Sequence, residues 1–105
     1  MIRHCVFIRF RPEIGAAERA AILGGITDLQ GQVAGLTAVQ AGTNVSPEAG
    51  MDKGYADGFI ADFIDAAARD AYLAHPAHEA AGARIVAAAE GGVNGVLVYD
   101  LEMAG

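Results

Sequence analysis

The segment IRHCVFIRF, residues 2–10, alternates between two sets of side chains along its whole length. One set is largely apolar and consists of Ile2, His4, Val6, Ile8 and Phe10. The other set is mixed and consists of Arg3, Cys5, Phe7 and Arg9. Strict alternation in a segment rich in β-forming residues predicts a strand, which Pro12 ends. Because apolar residues occur in both sets, neither face of this strand should remain in water.

The next elements follow from a change of period. From Gly15 the apolar residues recur at helical spacing, and Gly35 is placed to close this helix. Residues 36–45 predict a second strand. The segment SPEAGMDKGYADG, residues 46–58, is rich in glycine, proline and aspartate and predicts a long loop.

The second half of the chain predicts two strands on either side of a helix pair. Residues 57–64 alternate as a third strand, and Asp65 is placed to cap a short helix over residues 66–74. Pro76 suits the first turn of another helix that runs to about Glu90. Residues 94–102 alternate again, so the predicted order is βαββααβ.

This order predicts an α+β, ferredoxin-like protomer with a four-stranded antiparallel sheet in the order 4-1-3-2. In this topology all the helices pack on one face of the sheet, and the other face is left bare. Strands one, three and four carry apolar residues on both faces, and a bare apolar sheet of this size is typical of an interface. We therefore expect a homodimer joined through the sheet faces.

Composition excludes several classes of protein. The 105 residues are expected to form one domain, residues 1–105, and the formal charge of −6 comes with scattered basic residues. No stripe of positive charge could follow a phosphate backbone, so we expect no nucleic-acid partner. The single cysteine, Cys5, suits a reducing cytoplasm. Without a secretory signal or a long apolar run, we expect a cytoplasmic location and no membrane association.

The predicted topology brings one histidine and one aspartate together. Strands one and four are antiparallel neighbours, so the start of one lies beside the end of the other. The alternation also places His4 and Asp100 on the same side of the sheet. Asp100 can then fix the tautomer of His4.

A second pair lies near the start of the last helix. His78 shares one helical line with Gly82 and Ile85, so it should point inward at a helix N-terminus, where the dipole favours a neutral ring. Tyr72 lies one turn before Pro76 and can be brought alongside. A neutral histidine beside a phenol can abstract a proton α to a carbonyl while the phenol holds the developing enolate.

The pattern leaves two interpretations of these residues open. Tyr72, His78 and His4, with Asp100 in support, could line a pocket between the sheet and the last two helices. Alternatively, inward histidines serve as hydrogen-bonded core groups, and a tyrosine at a helix end is ordinary. His75, before a proline, suits a capping or supporting role. With no third ligand beside the two histidines of residues 75–78, we expect no metal site.

Five segments of the chain carry a resemblance to a known family. They are IRHCVFIRF, GTNVSP, KGYADGFIADF, AYLAHPAH and VLVYDLE. In this order they cover nearly the whole chain, which resembles the stress-responsive α/β-barrel domain family of the dimeric α+β barrel superfamily. The resemblance implies a ferredoxin-like protomer that pairs through its sheet into a barrel. It also implies a stress-response-type protein of unassigned activity.

One branch of that family is a polyketide cyclase that closes a ring by aldol condensation with a tyrosine and a histidine. On that pattern, the resemblance implies that Tyr72 and His78 form the catalytic pair, with His4 and Asp100 supporting. We therefore expect a protein that binds a small, partly apolar carbonyl compound. The alternative is a cyclase or lyase that needs no cofactor.

Overall fold

The computed structural model describes residues 1–104 and has seven main elements in the order βαββααβ. They are β1 (Ile2–Ile8), α1 (Ala16–Thr27), β2 (Leu36–Thr43), β3 (Asp57–Phe63), α2 (Ala66–Ala74), α3 (Pro76–Ala88) and β4 (Val96–Glu102). A short 3₁₀ turn, Gly92–Gly95, precedes β4. The predicted α+β, ferredoxin-like protomer is therefore confirmed. None of the helices in this part of the chain has both the length and the apolar character needed to cross a bilayer.

The sheet is antiparallel throughout and has the order β2-β3-β1-β4, which is the predicted 4-1-3-2 order. In the β1–β4 register His4 is opposite Asp100, and in the β1–β3 register it is opposite Ala61. Opposed residues point to the same side of an antiparallel pair. The centre of the sheet therefore carries His4 on the same side as Asp100.

One face of the sheet packs against the helices and forms the core. Alternate residues of β1 and β3 on this face are buried together with apolar residues of α1 and α3. The largest side chains with almost no exposed surface in this core are Tyr72, Phe63, Ile8, Ile26 and Leu29. The opposite face, which we call the open face, keeps large apolar side chains in water. They are Ile60, Leu97, Tyr99 and Leu101, each 39–44% exposed.

Local chemistry sets the start of the two C-terminal helices. The carboxylate of Asp65 accepts a hydrogen bond from the Ala68 amide at 2.8 Å, which satisfies a free donor of the first turn of α2. Pro76 occupies the first position of α3, where its missing amide hydrogen has no cost. Both helix starts agree with the prediction.

The first helix is shorter than predicted. It ends at Thr27, capped by Asp28, whereas the pattern predicted a helix that Gly35 closes. Gly31 has φ +89° in the turns that follow, a conformation that an α-helix cannot contain. Leu29 in these turns nevertheless remains buried in the core.

The other differences lie at the ends of elements. The strand predicted for residues 2–10 ends at Ile8, and Phe10 forms only an isolated bridge to Ala89. The strand predicted for 94–102 begins at Val96, because the 3₁₀ turn takes up the residues before it. Further differences are that β2 ends at residue 43 instead of 45, β3 at 63 instead of 64, and α3 at 88 instead of 90.

Candidate functional site

A histidine–aspartate pair joins β1 to β4 on the helix-covered face. Nδ1 of His4 lies 2.6 Å from Oδ1 of Asp100, and the His4 side chain is 5% exposed. The second carboxylate oxygen of Asp100 accepts a hydrogen bond from Nη1 of Arg69, on α2, at 2.6 Å. The chain Arg69–Asp100–His4 therefore runs from the partly exposed edge of the sheet into the core.

The electrostatics of this chain keep the carboxylate ionised. Partial burial opposes ionisation of Asp100, but hydrogen bonds from His4 and Arg69, together with the charge of each, outweigh it and lower the pKa of Asp100. An ionised carboxylate only accepts hydrogen bonds. Nδ1 of a neutral His4 ring therefore carries the proton and Nε2 is the free acceptor.

Tyr72, on α2, lies inside this cluster without exposed surface. Its ring centroid is 4.9 Å from that of Phe63 and 5.9 Å from that of His4. Its buried hydroxyl group has no hydrogen-bond partner among the described residues. Burial raises the pKa of Tyr72 to about 12, so the phenol remains a neutral donor at physiological pH.

His78, on α3, lies beside the Tyr72 ring. The two ring centroids are 4.4 Å apart. Nδ1 of His78 donates to the carbonyl oxygen of Leu73 at 3.3 Å, which leaves Nε2 as the acceptor. Partial burial lowers the pKa of His78 despite that hydrogen bond, so the ring is neutral at physiological pH.

His75 is outside the cluster and caps α3. Its Nδ1 accepts a hydrogen bond from the Ala77 amide at 3.1 Å, as an N-cap side chain does. The helix spacing thus gives the two histidines of this segment different surroundings. The residues that the structure describes contain no group of three His, Cys, Asp or Glu side chains placed to hold a metal ion.

The arrangement can perform acid–base chemistry. His78 supplies a neutral imidazole nitrogen, and Tyr72 supplies a phenol that stays protonated beside it. Such a pair can take a proton from carbon and donate a hydrogen bond to an oxygen that gains charge. His4, held by Asp100, presents a second imidazole ring, with its centroid 5.9 Å from that of Tyr72.

Sequence reasoning missed Arg69. Its position three residues before Tyr72 places both residues on one side of α2, a spacing that could have indicated the contact. The partner across the sheet, Asp100, is 31 positions away in the chain. Only the packing of α2 over the β1–β4 edge joins the two.

Two hollows lie elsewhere on the protomer. One, of about 540 Å³, lies between the open face and the loop that joins β2 to β3, and Phe7, Gly58 and Leu97 contribute to its lining. The other, of about 250 Å³, lies between α1 and α3. Neither hollow is lined by His4, Tyr72 or His78.

Comparison with known proteins agrees with this fold. The model of the "Stress responsive A/B Barrel Domain" family matches residues 2–103. A dimeric ferredoxin-like protein of unknown function from Jannaschia sp. CCS1 is 36% identical, covers 97% of this chain and 98% of its own, and superposes with a TM-score of 0.88. No match was found among curated proteins.

Two plant proteins share the fold at lower identity. A protein from Arabidopsis thaliana is 23% identical with a TM-score of 0.87, and the match covers 100% of this chain and 97% of that one. A hydroxynitrile lyase from Passiflora edulis is 17% identical with a TM-score of 0.84, and the match covers 98% of this chain and 93% of that one. At these identities the likeness concerns the fold alone.

Proposed function

The chain belongs to the stress responsive A/B barrel domain family, and on that premise we propose that it binds a small, partly apolar carbonyl compound. The binding site is the cluster of Tyr72, His78 and His4, with Asp100 holding His4. We further propose a homodimer that pairs through the open faces of two sheets. Residues 1–105 act as one domain, located in the cytoplasm.

The unpartnered hydroxyl group of Tyr72 is the observation that carries the binding proposal. Buried polar groups nearly always have a hydrogen-bond partner, and an unsatisfied one costs about 1–3 kcal/mol. In this protomer the hydroxyl group has none among the described residues. A carbonyl oxygen is an acceptor that suits it, and the surrounding rings of Phe63 and His4 suit an apolar body.

Small residues near His78 supply room for such a ligand. Gly82 lies one turn after His78 on α3, and a methyl group built on it would meet no heavy atom within 4 Å. His78 itself is half-buried, so the cluster borders solvent on this side. Access for a ligand is therefore expected along the line from His78 to Gly82.

The open face supports the homodimer. Leu97, Tyr99 and Leu101 of β4 are each 42–44% exposed beside Ile60 of β3. A contiguous apolar surface of this kind is typical of an interface. The relative from Jannaschia, at 36% identity, is described as dimeric, and so is a protein from Thermobifida fusca at 20% identity.

A binding experiment tests the ligand proposal. Benzaldehyde and acetylacetone serve as carbonyl probes and toluene as the matched probe without a carbonyl group, with saturation-transfer NMR as the readout. We expect signals from the two carbonyl probes that Tyr72→Phe and Gly82→Leu both abolish, one by removing the donor and the other by filling the space. Equal signals for all three probes, or for Tyr72→Phe and the natural protein, would contradict the proposal.

A second candidate function is a cyclase or lyase activity at the same site. The pKa values favour it, because His78 is a neutral base and Tyr72 a protonated donor at the same pH. Nε2 of His78 would take a proton from a carbon between two carbonyl groups while Tyr72 donates to the enolate oxygen. The carbanion then attacks a second carbonyl carbon, and the proton returns to the new alkoxide. The hydroxynitrile lyase among the structural neighbours indicates that the fold accommodates lyase chemistry.

The enzymatic candidate has its own test. Purified protein is incubated with a linear poly-β-keto thioester, and the cyclised products are separated by chromatography. We expect the natural protein to give a product distribution that differs from that of the spontaneous reaction. With His78→Ala, the distribution should be that of the spontaneous reaction. His75→Ala is the matched control, because His75 caps the helix and lies outside the cluster. If the natural protein binds the carbonyl probes but does not change the product distribution, the protein is a binding protein and the enzymatic candidate is wrong.

A further inference from the structure

We infer that Arg69 is a positioning residue that acts through Asp100 to hold His4 in one tautomer at the candidate site. The functional part of this inference rests on the proposed function, since it assigns Arg69 to the same cluster. The structural part, the control of His4 by Arg69, stands on geometry alone.

The geometry divides the carboxylate of Asp100 between two partners. Oδ1 faces Nδ1 of His4 at 2.6 Å, and Oδ2 faces Nη1 of Arg69 at 2.6 Å. Each oxygen is thereby turned toward one group, so the carboxylate plane has little freedom to rotate. Without Arg69, Oδ2 would face water and the plane could turn away from His4.

Arg69 is itself held in place. Its Nε donates to Oδ1 of Asp70 at 2.9 Å, so the guanidinium group bridges two carboxylates. The Arg69 side chain is only 24% exposed, as is that of Asp100. The planar guanidinium group is pre-organised, so arginine loses less side-chain entropy per hydrogen bond formed than lysine would.

The orientation of His4 matters because its ring has two nitrogens with different surroundings. Nδ1 faces Asp100, and the centroid of the His4 ring lies 5.9–6.3 Å from those of Phe59, Phe63 and Tyr72. If Nδ1 keeps the proton, Nε2 of a neutral ring is only an acceptor. If the tautomer is no longer fixed, Nε2 is a donor in some molecules and an acceptor in others.

Titratable groups on β4, α2 and α3 lie around His4 and Asp100. His78, on α3, is near enough to His4 for a charge on one ring to disfavour a charge on the other. Asp100 meets His4 from β1 and Arg69 from α2, Asp70 shares the arginine, and Glu102 lies two residues along β4 on the same side. Removal of the arginine leaves His4 as the only one of these two partners on the Asp100 carboxylate. The pKa of Asp100 would then rise, and the carboxylate, free to turn, would no longer keep an oxygen aimed at Nδ1 of His4.

The test compares Arg69→Gln, Arg69→Lys and Arg84→Gln with the natural protein. Arg84 is an exposed arginine on α3 that borders the smaller hollow, so its replacement controls for the lost charge. The ¹⁵N shifts of the His4 ring report the tautomer, and the ¹³C shift of the Asp100 carboxyl group reports its titration. Thermal unfolding measures the purely structural effect of each substitution.

We expect Arg69→Gln to raise the pKa of Asp100 and to convert the single Nδ1–H tautomer of His4 into a mixture. Arg69→Lys should restore most of the tautomer, because the positive charge remains, and Arg84→Gln should change neither signal. If Arg69→Gln lowers the melting temperature and leaves both NMR signals unchanged, Arg69 is only a tie between α2 and β4 and the inference is wrong.

These readouts need no ligand, so their failure is distinct from failure of the proposed function. Where carbonyl turnover is detected, Arg69→Gln should lower kcat about tenfold with little change in KM, a part of the roughly 100- to 10,000-fold that acid–base groups supply. A change confined to KM would show that Arg69 acts on binding and not on His4.

Discussion

The rings of Tyr72 and His78 lie with their centroids 4.4 Å apart, although one belongs to α2 and the other to α3. His75 is the single residue between the two helices, and Pro76 begins the second. Tyr72 has no exposed surface, and its hydroxyl group has no hydrogen-bond partner within residues 1–104. A buried hydroxyl group without a partner lowers the stability of the fold, and most buried tyrosines avoid it. This cost distinguishes the pair from ordinary core side chains.

Substitution of Tyr72 by phenylalanine should separate a functional role from a structural one. The phenyl ring keeps the packing and removes the unsatisfied hydroxyl group, so the free energy of unfolding should stay constant or rise by up to about 1 kcal/mol. Urea unfolding of the ligand-free protein measures it, with Tyr55→Phe as the control outside the core. A loss of more than about 1 kcal/mol would mean that the hydroxyl group has a partner.

The two histidines of the helix junction should respond differently to alanine. His75→Ala removes the N-cap of α3 and should lower the free energy of unfolding by about 1 kcal/mol, with binding of carbonyl probes retained. His78→Ala should abolish that binding and leave the cap intact. Unfolding and saturation-transfer experiments on the same pair of variants measure both effects. Loss of binding in His75→Ala would argue against the assignment.

Stability should fall in acid in two steps. The ordinary pKa of histidine is 6.5, and that of His78 lies below it in the folded chain. As the pH falls below 6.5, His78 binds a proton in the unfolded chain while it is still neutral in the folded chain, so the free energy of unfolding decreases. The pKa of Asp100 also lies below its ordinary 3.8, so its contribution is present above pH 3.8 and is lost as the pH falls through the folded value.

Substitutions can assign each step to a residue. His78→Gln should reduce the decrease in the free energy of unfolding below pH 6.5, and His75→Gln should not change it. Asp100→Asn should remove the step at lower pH. Urea midpoints measured from pH 7.5 down to pH 3 give the comparison, and an undiminished upper step in His78→Gln would assign it to another group.

A charge on the open face should dissociate the proposed dimer. Leu97 and Val98 are neighbours on β4 that point to opposite sides of the sheet, and they are 42% and 53% exposed. Leu97→Lys should yield a monomer because burial of an unpaired charge is costly. Val98→Lys, the more exposed site on the other face, should remain a dimer. Sedimentation velocity distinguishes the two, and a dimeric Leu97→Lys would place the interface elsewhere.

Two glycines opposite each other in the sheet should tolerate alanine unequally. Gly42 and Gly58 pair across β2 and β3. A methyl group at Gly58 would lie 2.7 Å from the backbone oxygen of Val6, whereas one at Gly42 meets no heavy atom within 4 Å. Gly58→Ala should therefore lose about 1–3 kcal/mol of unfolding free energy, and Gly42→Ala should lose none. Equal effects in urea unfolding would contradict this packing.

The sequence by itself determined the positions of the strands and the helix starts, because their signals are local. The order of the sheet then followed from the βαββααβ order of the elements. Alternation in residues 2–10, the cap at Asp65 and the proline at position 76 each act through neighbouring backbone groups. The register of antiparallel neighbours then placed His4 and Asp100 on one side. The end of the first helix was missed, because buried Leu29 keeps the helical pattern in a segment that turns through Gly31.

Only the tertiary structure decided how the side chains of the candidate site meet. The contact of Arg69 with Asp100 and the unpartnered hydroxyl group of Tyr72 depend on how α2 and α3 pack over the sheet. A shift of a few ångströms between such elements, which are distant in the chain, would make or break these contacts. A repeating pattern of apolar residues specifies which face is buried, and the packing of whole helices then sets which polar atoms find a partner.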